Sequence, residues 1–106
     1  MKQTFTLLIG ICAAAALSMA ADAKAGQAVF DKSCKTCHGA DGAGNPAIAK
    51  MMKVEMRPLG SAGVQAQSDD ELAKIVTGGK GKMKPVASVT GKSVEDVVAY
   101  VRTLKK

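Results

Sequence analysis

The chain has one histidine, His38, and it directly follows Cys34-Lys35-Thr36-Cys37, so two thiols and an imidazole fall in one short stretch. Few chemistries want that order. A structural zinc site needs four ligands, and this stretch offers three with no other histidine in the chain. A dithiol redox site of the thioredoxin kind sits in an alternating strand-helix pattern, which is missing around these cysteines. The spacing suits a third chemistry. Thiols separated by two residues reach the two vinyl groups on one porphyrin edge, and a histidine immediately after them places a ring nitrogen on the iron. The motif therefore predicts one haem c, covalently bound through two thioethers at Cys34 and Cys37, with His38 as an axial ligand.

The rest of the composition agrees with a chain that needs such a cofactor. Lys2 is followed by an apolar run over residues 5–17 and by the small-residue sequence Ala21-Asp22-Ala23, the order of a cleaved secretory signal. An uncleaved anchor is the alternative, but the run is short and alanine-rich for a membrane span. A lipoprotein signal centred on Cys12 is set aside, because bulky Ile11 precedes it and the apolar run continues past it. Residues 1–23 are thus read as signal peptide and residues 24–106 as the functional domain, 106 − 23 = 83 residues. Cleavage after Ala20, following Ser18-Met19, would leave three more. Export predicts a periplasmic location and no stable membrane insertion after cleavage.

Removing the signal removes Cys12, and the two remaining cysteines cannot form the disulfide framework of a small secreted domain. The aromatic residues left are Phe30 and Tyr100, with no Trp. A domain of this size has difficulty building a sufficient core from such side chains, and a large apolar cofactor fills the deficit. The formal charge of +6 is unchanged by losing Lys2 and Asp22 together. It predicts acidic protein surfaces as partners, and a monomer is the simplest expectation for a diffusible electron shuttle. Nucleic acid is disfavoured for an exported chain without interleaved aromatic and basic residues.

Periodicity predicts helices over residues 25–35, over residues 47–53 with Ile48, Met51 and Met52, and from Ser68 to the Gly78-Gly79 stop. Ser68-Asp69-Asp70-Glu71 has the form of a capping box. A last helix is expected to open at Ser93, with Asp96 three residues on and Val94, Val97, Val98, Val101 and Leu104 along one face. The segments around Gly39, Gly42, Gly44 and Pro46, and from Arg57 through Ser61-Ala62-Gly63, read as loops.

With no second histidine, methionine is the leading candidate for the other axial position. Met56-Arg57-Pro58 and Met83-Lys84-Pro85 share a pattern, and Met83 is preferred because Gly78-Gly79-Lys80-Gly81-Lys82 before it lets backbone lie against a flat ring. Met56 is the alternative. Thioether sulfur favours ferrous iron and closes the coordination sphere, which suits electron transfer and not substrate binding.

Together these features resemble the class I c-type cytochromes, in particular the short monohaem periplasmic ones of bacteria. The resemblance covers essentially the whole mature chain. Beyond the haem motif, Gly26 and Phe30 stand where the family's first helix packs on an aromatic of its last helix, here Tyr100, while Val97 replaces a commonly larger aliphatic residue. The resemblance implies an all-α cytochrome c fold, about four helices around one haem, with His38 and Met83 as axial ligands. It also implies a proline, Pro46 or Pro58, whose carbonyl orients the histidine ring. The expected function is one-electron transfer between redox enzymes, without catalysis of its own. The alternatives are a haem-bearing subunit of a larger oxidoreductase, or a gas- or substrate-binding haem protein with a displaceable sixth ligand. Lys35, Lys80, Lys82 and Lys84 are expected to form a basic rim near the haem segments.

Overall fold

A computed structural model describes residues 20–106; most of the predicted signal peptide lies outside them. The described residues form six helices: α1 Ala23–Ser33, α2 Lys35–His38, α3 Pro46–Met52, α4 Ala62–Gln65, α5 Asp69–Gly78 and α6 Lys92–Thr103. They include no strand, only one isolated bridge between Lys80 and Met83. The all-α expectation holds. The expected four helices become six because the single helix foreseen over residues 25–35 breaks at Cys34, and because residues 62–65, read as loop, form one helical turn.

Helix α1 begins earlier than periodicity suggested. Asp22 caps it, its carboxylate accepting from the amides of Lys24 and Ala25, which satisfies donors that no helix can pair internally. Ser68 caps α5 as expected, accepting from the Glu71 amide at 3.1 Å. Helix α6 departs from expectation, since its N-cap is Gly91 and Ser93 makes no capping bond. Asp96 does not complete a capping box. It is buried at 6% exposure, and its Oδ1 accepts from the Asp22 amide at 2.8 Å and from Lys92 Nζ at 3.0 Å.

The fold is organised by α1 crossing α6. A Cβ on Gly26 would lie 1.9 Å from the Asp96 carbonyl oxygen, so only glycine permits this approach. One turn on, Phe30 is 1% exposed and meets Tyr100 with ring centroids 5.1 Å apart, a tilted arrangement worth about 0.5–1.5 kcal/mol beyond burial. Val97, also 1% exposed, fills the crossing with Val89 and Val94. Its small side chain fits because the backbones are so close. A second cluster of Val64, Leu72 and Val98 joins α4 and α5 to the other side of α6.

Arg102 fastens that second side. Its guanidinium donates to the carboxylate of Asp69 and to the carbonyls of Gln65 and Gln67, while Gln65 Nε2 donates to the carbonyls of Leu59 and Val101. The α4–α5 connection is thereby tied to α6 from both directions. Among the described residues, no helix is long and apolar enough to cross a membrane.

Candidate cofactor-attachment site

Helix α1 ends at Ser33, and the chain turns at Cys34 into the single turn of α2 that carries Cys37 and His38. Both thiols are free and half-buried. Most of the backbone carbonyls of this stretch are used. Cys34 O accepts from the His38 amide at 3.0 Å, Lys35 O from Gly39 at 2.8 Å, Cys37 O from Asn45 at 2.9 Å and His38 O from Gly44 at 2.7 Å. Asn45 Nδ2 also donates to Thr36 O. The return loop thus folds back beneath the motif and holds its three reactive side chains in a fixed frame. Gly39 and Gly44 adopt φ of 78° and 97°, which is what lets so short a loop reverse.

The electrostatics distinguish between the chemistries considered above. Burial, and secondarily the Cys37 thiol, push the Cys34 thiol above its ordinary pKa. A dithiol exchange site needs the opposite, an attacking thiol lowered into the neutral range. Burial also lowers the His38 pKa, favouring the neutral imidazole that binds metals. Zinc has no fourth partner here: among the described residues no group of three or more His, Cys, Asp or Glu is arranged to hold a metal ion.

The residues fit a haem. His38 Nδ1 is buried without a hydrogen-bond partner, a state proteins rarely leave uncompensated. A metal-ligating histidine needs that second nitrogen oriented by a neighbour, so the orphaned atom belongs in a site whose remaining parts assemble around a ligand.

The two candidate methionines are placed differently. Met56 is engaged with the return loop: its Cβ would be 3.2 Å from a Cβ on Gly44, and it lines a small cavity with Asn45, Pro46 and Ala49. Met83 is half-buried and closes a tight turn, its amide and carbonyl paired with those of Lys80 at 2.9 Å each. Gly79, at φ 77°, is required by that turn, because a Cβ there would lie 2.6 Å from Met83 O and 2.9 Å from the Pro85 ring. Beyond it the Val86 amide donates to Val76 O, docking the segment on α5.

Sequence reasoning missed how that turn is held. Lys82 Nζ donates to Met52 O near the C-terminal end of α3. Helix C-terminal carbonyls lack internal partners and carry negative character, so a lysine reaching one is a signal available only once the two segments are known to meet. Lys35, Lys80, Lys82 and Lys84 are all exposed.

An all-helical shell closed by an α1–α6 crossing, with the two cysteines and histidine presented at the end of the first helix, defines a c-type cytochrome. Residues 21–101 match the family described as cytochrome c oxidase, cbb3-type, subunit III, and the chain belongs to that family. Among solved structures it is similar to the KustC0563 c-type cytochrome, with a TM-score of 0.65 and 28% identity over 76% of this chain and 98% of that one. It also shares its fold with cytochrome cL of Methylophaga aminisulfidivorans, with a TM-score of 0.58 and 24% identity over 77% of this chain and 52% of that one. Cytochrome cL of Hyphomicrobium denitrificans gives a TM-score of 0.60 and 21% identity, covering 79% of this chain and 48% of that one. The chain thus spans about half the length of the two cytochromes cL. No curated protein matches it. Membership in this family makes the chain a haem-c-bearing electron-transfer domain.

Proposed function

We propose that this protein is an exported monohaem carrier that moves one electron at a time between redox enzymes and catalyses no reaction of its own. When bound, the haem supplies an iron that alternates between ferric and ferrous states. Cys34 and Cys37 would hold it by thioethers, and His38 would supply a ring nitrogen to its iron. The observation that carries this reading is the motif frame itself, the return loop holding Cys34, Cys37 and His38 together with His38 Nδ1 buried and unpartnered.

Pro58 is the residue we assign to orient His38. Pro46 is the first residue of α3, so its carbonyl serves that helix's own hydrogen-bond ladder. Pro58 lies in a segment held against the return loop by the Leu59 amide donating to Gly42 O at 2.8 Å. Its carbonyl accepts from Ser61 and retains a second lone pair.

Met83 would supply the second protein ligand to that iron. It stands on a turn braced by α5 and α3, whereas Met56 is occupied against the return loop. Optical spectra of the purified holoprotein test the assignment. The ferric protein is expected to show the weak red band of methionine ligation, lost in Met83→Ala and retained in Met56→Ala. A high-spin ferric spectrum in the unsubstituted protein would overturn the carrier reading.

The family description names an oxidase subunit, and an acidic surface on such an enzyme is the kind of partner a basic carrier suits. Exposed Lys35, Lys80 and Lys84 form the docking rim in this reading. Lys82 contributes charge, but its ammonium is tied to α3.

A further inference from the structure

A cleaved leader requires a cleavage point, and the small-residue pattern allows two, after Ala20 or after Ala23. The structure distinguishes them, because Asp22 lies between the two and works in the fold three ways. Its carboxylate caps α1. Its carbonyl accepts from the Gly26 amide at 2.8 Å, directly at the helix crossing. Its amide donates to buried Asp96 Oδ1 at 2.8 Å, a contact joining chain positions 22 and 96.

We infer that the leader is removed after Ala20, so that the mature protein begins at Ala21 and retains Asp22 as a structural residue. Cleavage after Ala23 would remove all three contacts and leave the Asp96 carboxylate with Lys92 alone. It would also put the new α-ammonium of Lys24 in the first turn of α1, where the helix dipole is already positive. Cleavage after Ala20 puts the charge elsewhere. Ala21 lines a cavity of about 270 Å³ with the acidic residues Asp69, Asp70 and Glu95, so the α-ammonium emerges at the mouth of an acidic cavity. Asp69 is engaged by Arg102, whereas among the described residues neither Asp70 nor Glu95 is in a salt bridge. An ammonium released there is electrostatically favoured.

This inference rests on the cleaved-leader reading, and one experiment separates the two. The full chain with its own leader is expressed in a bacterium that attaches haem c, and the purified holoprotein is examined by intact mass and N-terminal sequencing. A start at Ala21 is expected. A start at Lys24 leaves the cleaved-leader reading standing and overturns the inference, while a retained Met1, the mark of an uncleaved anchor, overturns both. As a second measurement, forms beginning at Ala21 and at Lys24 are produced behind a foreign leader and melted. The Lys24 form is expected to melt lower by on the order of 5 °C, the size of a lost helix cap in a domain this small. Equal melting temperatures would overturn the structural reason for the assignment.

Discussion

Two glycines of this chain make opposite predictions. Gly26 has a backbone carbonyl 1.9 Å from where a Cβ would sit, and Gly78, at the end of α5, has nothing within 4 Å. Gly26→Ala must push α1 and α6 apart and is expected to cost about 3 kcal/mol or more, at the upper end of overpacking effects. Gly78→Ala is expected to be neutral or to stabilise by about 0.4–1 kcal/mol through the unfolded chain. Denaturant titration of the two holoproteins checks both at once, and similar losses would contradict the crossing geometry. Asp96 is the second residue whose environment makes a prediction. The Asp22 amide first, and then Lys92, hold its carboxyl below the ordinary carboxylate range. A group with a depressed folded pKa contributes stability above its unfolded pKa, about 3.9, and loses it as pH falls through the lower folded value. Wild-type stability should therefore decline below about pH 4 more steeply than that of Asp96→Asn, as followed by thermal melts across pH. That role was not legible from sequence. Asp96 stands three residues after Ser93 and so imitates a capping box, and only the long-range contact with Asp22 shows otherwise.

At the scale of elements, legibility follows whether a helix is determined by its own residues. Helix α5 carries its own cap and its own apolar spacing, and α6 shows a valine face of which Val94, Val97 and Val98 are buried. Both were readable. The single turns α2 and α4 are too short to show periodicity, and they persist because other segments satisfy them, the return loop for α2 and Gln65 with Arg102 for α4. The start of α1 was hidden for another reason, since Asp22 sits inside a pattern that also reads as a cleavage site. The Arg102 clamp yields the prediction at this scale. A lysine cannot reproduce a planar fork that serves Asp69, Gln65 and Gln67 together. Arg102→Lys is expected to cost about 1–3 kcal/mol, with the haem spectrum unchanged and amide exchange accelerated in residues 62–70. Exchange rates equal to those of the wild type in that segment would show that the clamp does not hold it.

For the whole molecule, the central quantity is how charge is distributed. The formal charge of +6 is a property of the entire chain, and any basic protein is drawn to an acidic partner to some degree. A docking rim makes a stronger demand, since charges beside the site of electron exit should matter more than charges elsewhere. Lys80 and Lys84 flank the Met83 turn, and Lys105 and Lys106 end the chain beyond α6. All four are exposed, and replacing either pair by glutamine removes the same net charge. If the rim steers docking, the Lys80→Gln/Lys84→Gln protein should exchange electrons with an acidic redox partner about tenfold more slowly at low ionic strength, within the range electrostatic steering provides. The Lys105→Gln/Lys106→Gln protein should change much less, and the difference between them should shrink as salt is raised and the Debye length falls to about 10 Å at 0.1 M and below. Stopped-flow measurement of both variants over a salt series separates the alternatives. Equal slowing would assign the attraction to net charge alone, and the lysines around Met83 would then be ordinary solvated surface.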